Sequence, residues 1–121
     1  MRIFLLLALL PAYVIGCAQA VEPVNNPTGL HFSNVKPFAF TMSFSPVAAD
    51  GYFVLKSDNP ITFSPADGTT YQKGQGVGGG KVLSYGTDTI FNVREVLEGT
   101  QYYIAVFAFN GTGAPVNYKQ S

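Results

Sequence analysis

From Tyr102 to Phe109 the chain alternates between two sets of residues, Tyr102, Ile104, Val106, Ala108 and Tyr103, Ala105, Phe107, Phe109, and both sets are apolar. A period of two with aromatic and β-branched content predicts a strand. Because both faces are apolar, both must be covered, which places the strand in the middle of a sheet. Gly99 and Thr100 supply the turn into it, and Asn110-Gly111 is a strong hairpin signal on the way out. Residues 52–57 (YFVLKS) repeat the pattern, with Tyr52 and Val54 predicted to face in and Phe53 and Leu55 out. Two such strands are expected side by side. Their outward residues then form one aromatic patch from Phe53, Leu55, Tyr103, Phe107 and Phe109.

The remaining strands read as half-buried. Phe40, Met42 and Phe44 alternate with Thr41 and Ser43, and Phe91 and Val93 give residues 89–93 an inward face. Leu30, Phe32 and Val35 are expected to face inward on a first strand that bends near Asn34, with residues 81–85 a short strand and residues 116–120 a final edge strand guarded by Lys119. Residues 58–80 form a long irregular stretch with turn signals at Asn59-Pro60, Ser64-Pro65 and Asp67-Gly68 and a glycine cluster at its end. Structureless loops of this length are uncommon. Ile61, Phe63 and Tyr71 are apolar enough to fold it back over the patch. Seven strands with closely spaced turns imply an all-β antiparallel sandwich.

The start of the chain has a different character. Arg2, the apolar run Ile3 to Leu10 and the break at Pro11 read as an export signal over residues 1–20, too short for a membrane span of ~20 apolar residues. Ala18-Gln19-Ala20 suits cleavage before Val21, whereas Val14-Ile15-Gly16-Cys17 resembles the lipobox of bacterial lipoproteins, in which the Cys carries lipid. That resemblance implies a bacterial outer-membrane or cell-surface lipoprotein; the other cleavage implies a secreted or periplasmic protein. Residues 21–27 (VEPVNNP) are expected to be an extended linker, with the folded part from Thr28 to Ser121.

Seven basic and seven acidic side chains balance. This argues against nucleic acid, and against a membrane surface except through the lipid anchor. The single Cys excludes an internal disulfide. Gly74, Gly76 and Gly79 fit G-x-G-x-x-G, but a strand follows them where a helix N-terminus is needed, so no cofactor is expected. Gln75 and Val82 break the phosphate-loop pattern around Lys81. Asp58, Asp67 and Asp88 are too scattered for a metal, His31 has no partner for a triad, and Asn110-Gly-Thr112 is explained by its turn.

Residues 27–121 resemble a fibronectin type III domain of the kind found in Bacteroidetes-type secreted and surface proteins. PTGLHFSNV (27–35), FAFTMSFSP (38–46), DGYFVLKS (50–57), DGTTYQKG (67–74) and VLEGTQYYIAVFAFNG (96–111) carry the likeness. The resemblance implies a seven-stranded immunoglobulin-like β-sandwich with a tyrosine corner built by Val96, Gly99 and Tyr102, the Tyr hydroxyl bonding backbone. Phe44 stands where the family has a core Trp, and Glu98 where it has a corner Pro. The implied function is a non-catalytic, envelope-tethered binding, adhesion or spacer module for a protein or glycan. Its expected contact residues are the aromatic patch or the loops around Asn110 and Gly111. Two other readings are an accessory fragment of a glycan-degrading enzyme, and a subunit that donates a strand to another sheet, the latter marked by poor pairing of residues 116–120.

Overall fold

A computed structural model describes residues 18–120, so the expected export signal, the lipobox and Cys17 lie outside the described residues. The described chain is all-β: β1 (Thr28–Lys36), β2 (Ala39–Ser45), β3 (Gly51–Ser57), β4 (Gly76–Val77), β5 (Gly80–Gly86), β6 (Ile90–Arg94), β7 (Tyr103–Asn110) and β8 (Asn117–Tyr118). One sheet has the order β1-β2-β6 and the other β4-β5-β3-β7-β8, with every pair antiparallel. Three strands pack against five, and the chain crosses between the sheets from β2 to β3, from β5 to β6 and from β6 to β7, which makes an immunoglobulin-like β-sandwich.

Alternation places the core. Met42 and Phe44 of β2 and Val93 of β6 meet Tyr52 and Val54 of β3 and Ala108 of β7, and Val96 closes the end. The Phe44 ring sits edge-on to Tyr52 at 5.0 Å and stacks against Phe91 at 6.2 Å, filling this inter-sheet position. Burial of Met42, Phe44, Val54 and Val93 contributes about 1.5–3 kcal/mol each. On the opposite face of β2 the Thr41 hydroxyl donates to Asn92 Oδ1 across the strand pair, a polar outer surface. The two doubly apolar strands are neighbours, with Tyr52 opposite Ala108, Phe53 opposite Phe107 and Val54 opposite Val106.

The first strand departs from expectation. It does bend where Asn34 adopts φ 49° between two stretches of register, but Leu30, Phe32 and Val35 are 37%, 46% and 74% exposed. Phe32 shares the inner face with Met42, its partner across the strand pair, and lines an inter-sheet groove with Val35. What is corrected is the burial of these residues and not their side of the sheet: β1 is an edge strand and leaves them open. A second correction concerns β8, which pairs only through Asn117 and Tyr118, with one further bond from Lys119 N–H to the Ala108 carbonyl. Its full length was not realised. A small addition is β4, the two-residue arm that turns the glycine cluster into a hairpin with β5.

Ala20 and most of the segment expected to be a linker, residues 21–27, are fastened along the β7–β8 side of the domain. Ala20 N–H donates to the Pro115 carbonyl, Asn117 Nδ2 to the Ala20 carbonyl and Asn110 Nδ2 to the Val21 carbonyl. Asn26 goes further: its Oδ1 accepts from Ala108 N–H at 2.8 Å and its Nδ2 points to the Lys119 carbonyl at 3.5 Å. The carboxamide thus occupies a rung of the ladder that β8 leaves incomplete. Lys119 also meets Glu22 at 3.5 Å, an exposed pair of little energetic weight.

Candidate functional site

The aromatic patch and the groove beside the tyrosine corner share one strand, β7, and differ in what lies over them. On the outer face, Phe53 is the centre of a ring cluster. It stacks on Tyr71 at 4.7 Å with the planes 5° apart, takes the edge of Phe63 at 6.2 Å, and touches Phe107 and Tyr118. Tyr85 stacks on Phe109 at 4.6 Å. The 58–80 excursion has folded back, bringing Ile61, Phe63 and Tyr71 over the sheet, and Phe53 and Leu55 are fully buried. Phe109 is buried as well, while Phe107 and Tyr103 are half-buried. Phe53, Leu55 and Phe109 therefore cannot touch a partner in this fold, and their role as contact residues is corrected: the chain's own loop satisfies them.

A hydroxyl network finishes that layer. The Tyr118 hydroxyl donates to the Thr69 carbonyl at 2.6 Å and lies 2.7 Å from the Tyr85 hydroxyl. Burial first, and then the bond to Tyr85, push the Tyr118 phenol far above its ordinary value of 10.0, and burial raises that of Tyr85. Both phenols stay neutral and act as structural bonds.

The hairpin turn is equally spent on structure. Asn110 Oδ1 accepts from Asp50 N–H, Asp50 Oδ2 accepts from Gly111 N–H, and Asn110 Nδ2 is taken by Val21. Gly111, at φ 87°, lies so close to Ala20 and Pro115 that a side chain there would collide. Asn110 and Gly111 are thus brought together with the N-terminal segment, away from any cleft.

The corner stands at the other end of β7. Gly99 at φ 77° turns the chain, Val96 is buried in the core, and the Tyr102 hydroxyl accepts from Leu97 N–H at 2.8 Å. The Lys56 ammonium lies 4.9 Å above the Tyr102 ring, fixing the ring from its second side. Beside this corner the sandwich opens into a groove of about 500 Å³. Phe32 and Val35 of β1 form one wall, Phe40 the floor, and Leu97, Tyr102 and Ile104 the other wall. Leu97 is 65% exposed at its rim. Phe32 meets Phe40 edge-on at 5.7 Å, so the groove is lined by rings already held in place.

A second, more polar cleft gathers the basic side chains Lys56, Lys73, Lys81 and Arg94 with Glu95 between β5 and β6. His31 is exposed on β1 opposite Ser43. Among the described residues no three of His, Cys, Asp and Glu come together as a metal site would require. Residue patterns missed the groove because its walls come from β1, β2 and the corner, which are far apart in the chain.

No protein-family model matches the chain, and no curated protein sequence matches it. Among solved structures it is similar to a fibronectin type III domain of human collagen XX, with 17% sequence identity over 86% of this chain and 98% of that one and a TM-score of 0.47.

Proposed function

We propose that the chain is a non-catalytic binding module held at a bacterial cell envelope through lipid on Cys17, and that it captures a protein partner in the groove beside the tyrosine corner. One observation carries the binding assignment: the outer apolar layer is sealed by the chain's own loop, whereas an apolar groove lined by Phe32, Val35 and Leu97 stays open to solvent. Exposed apolar surface of this kind, set on a rigid scaffold and rimmed by polar positions such as Lys36 and Glu98, is how partner sites differ from ordinary surface. The envelope tether is supported by the Val14 to Cys17 pattern and by the absence of any other Cys in the chain.

Leu97 and Ile90 provide a matched test, since both are 65% exposed and only Leu97 borders this groove. A photo-reactive residue at position 97, displayed on the envelope of the native cell, should cross-link to a discrete partner while the same residue at position 90 does not. Equal labelling from both positions would sink the proposal. Mass spectrometry of the mature N-terminus decides the tether: a lipidated Cys17 supports it, and a chain starting at Val21 removes it.

A further inference from the structure

The backbone beside the groove narrows the chemistry of what fits there. In an antiparallel sheet, successive residues turn their N–H and C=O toward opposite neighbours. On β7 the Phe109 carbonyl accepts from Asp50 N–H on the β3 side, whereas the Ala108 carbonyl accepts from Lys119 N–H and Ala108 N–H donates to Asn26 on the other side. By the same alternation, the N–H and C=O of Val106 and Ile104 face away from β3. Yet β8 pairs only with Phe109 and Asn110, and no other strand among the described residues adjoins that edge. The side chains of Val106 and Ile104 meanwhile point into the sandwich, where Ile104 lines the groove. The same residues therefore offer an open ladder edge and an apolar wall.

The chain's own strand is turned away from this edge. Asn26 fills the rung at Ala108, and Gln120 Nε2 donates to the Pro65 carbonyl at 3.0 Å and to Asp67 Oδ1 at 3.3 Å, which draws the segment after β8 toward the outer loop. An apolar occupant without backbone would cover Ile104 and Val106 and leave their N–H groups without partners. Each such burial costs about 1–3 kcal/mol. An extended polypeptide meets both N–H groups and both carbonyls at the correct spacing, and it extends a ladder that already exists.

We infer that the groove accepts an extended segment of a separate polypeptide by strand addition: the segment runs antiparallel to β7, continues the β8 ladder past Ala108, and lays an apolar–any–apolar triplet over Phe32, Val35 and Leu97. This deepens the binding proposal and rests on it. Antiparallel direction follows from the register that sets Phe109 opposite Tyr118 and Asn110 opposite Asn117. In that register the residues opposite Val106 and Ile104 face inward, which is why alternate positions of the incoming strand must be apolar. Residues 103–107 contain no charge and no Pro to repel a strand.

The test uses the full chain in detergent micelles with a short acetylated peptide alternating Val and Thr, and the same peptide N-methylated on the residues that face β7. The alternating peptide should slow amide exchange at Ile104 and Val106 by about tenfold or more, N-methylation should abolish this, and Leu97→Asp should weaken binding by about tenfold. Equal binding of both peptides would overturn strand addition and leave apolar capture standing. Failure of both peptides while position 97 still cross-links also overturns the inference alone; failure of peptides and cross-linking together ends both readings. Slow exchange at Ile104 and Val106 without peptide, whether it rises with protein concentration or disappears on deletion of residues 1–17, would assign the edge to this chain's own copies or leader and overturn a separate partner.

Discussion

The outer aromatic layer and the groove at the corner are built from the same kind of residue on the same strand, yet one is closed and the other open. Phe53 on the outer face has Tyr71, Phe63 and Tyr118 around it, while Val35 and Leu97 at the groove have solvent. The difference does not lie in hydrophobicity. It lies in which stretch of chain is long enough to return: residues 58–80 reach back over β3 and β7, whereas β8 leaves its ladder after Lys119. An apolar pattern marks a face, and only the path of the rest of the chain shows whether that face is covered from within.

The comparison breaks most visibly at the centre of the closed layer. Phe53→Ala removes a fully buried ring and should cost about 3–5 kcal/mol, seen as a large drop in the urea midpoint; a cost near zero would mean the loop is not packed on the sheet. Tyr118→Phe is the next step down. It leaves the Thr69 carbonyl without its donor and should cost about 1–3 kcal/mol. The same phenol sets a pH dependence. Its folded value is raised above the unfolded one, so the native state keeps a proton that the unfolded state gives up; the stabilisation is complete below pH 10.0 and is lost as pH rises past it. Alkaline titration of the Tyr118→Phe protein should show a shallower loss of stability than the parent.

At the boundary between the two regions, Tyr102→Phe removes the acceptor of Leu97 N–H. A cost of about 1 kcal/mol is expected, with faster amide exchange confined to Leu97 and the turn. The smallest effect belongs to the open side. Leu97→Asp should change stability by less than about 0.5 kcal/mol, because its side chain is already in water. A thermal midpoint that falls steeply for this variant would show the groove to be core after all, and would erase the contrast.

Much of the closed region was legible from residue order. The two alternating sets of β7 point where their period says, the apolar residues of the 58–80 stretch supply the lid, and the spacing from Val96 through Gly99 to Tyr102 produces the corner bond at Leu97. The open region was not legible. Leu30, Phe32 and Val35 alternate in the same way whether or not a strand stands opposite them, so their pattern cannot report a missing neighbour. Asn26 was hidden for another reason. Within VEPVNNP it has the composition of a loop, and its service as a ladder rung depends on where Ala108 and Lys119 lie in space.

That lateral fastening has a mechanical consequence. Tension entering from the N-terminal side reaches Asn110, Asn117, Ala108 and Lys119 through residues 20–26 before it reaches β1. A pull from that side therefore meets the β7–β8 seam before it can peel the first strand from its sheet. Asn26→Ala should lower the force at which that seam yields in single-molecule stretching.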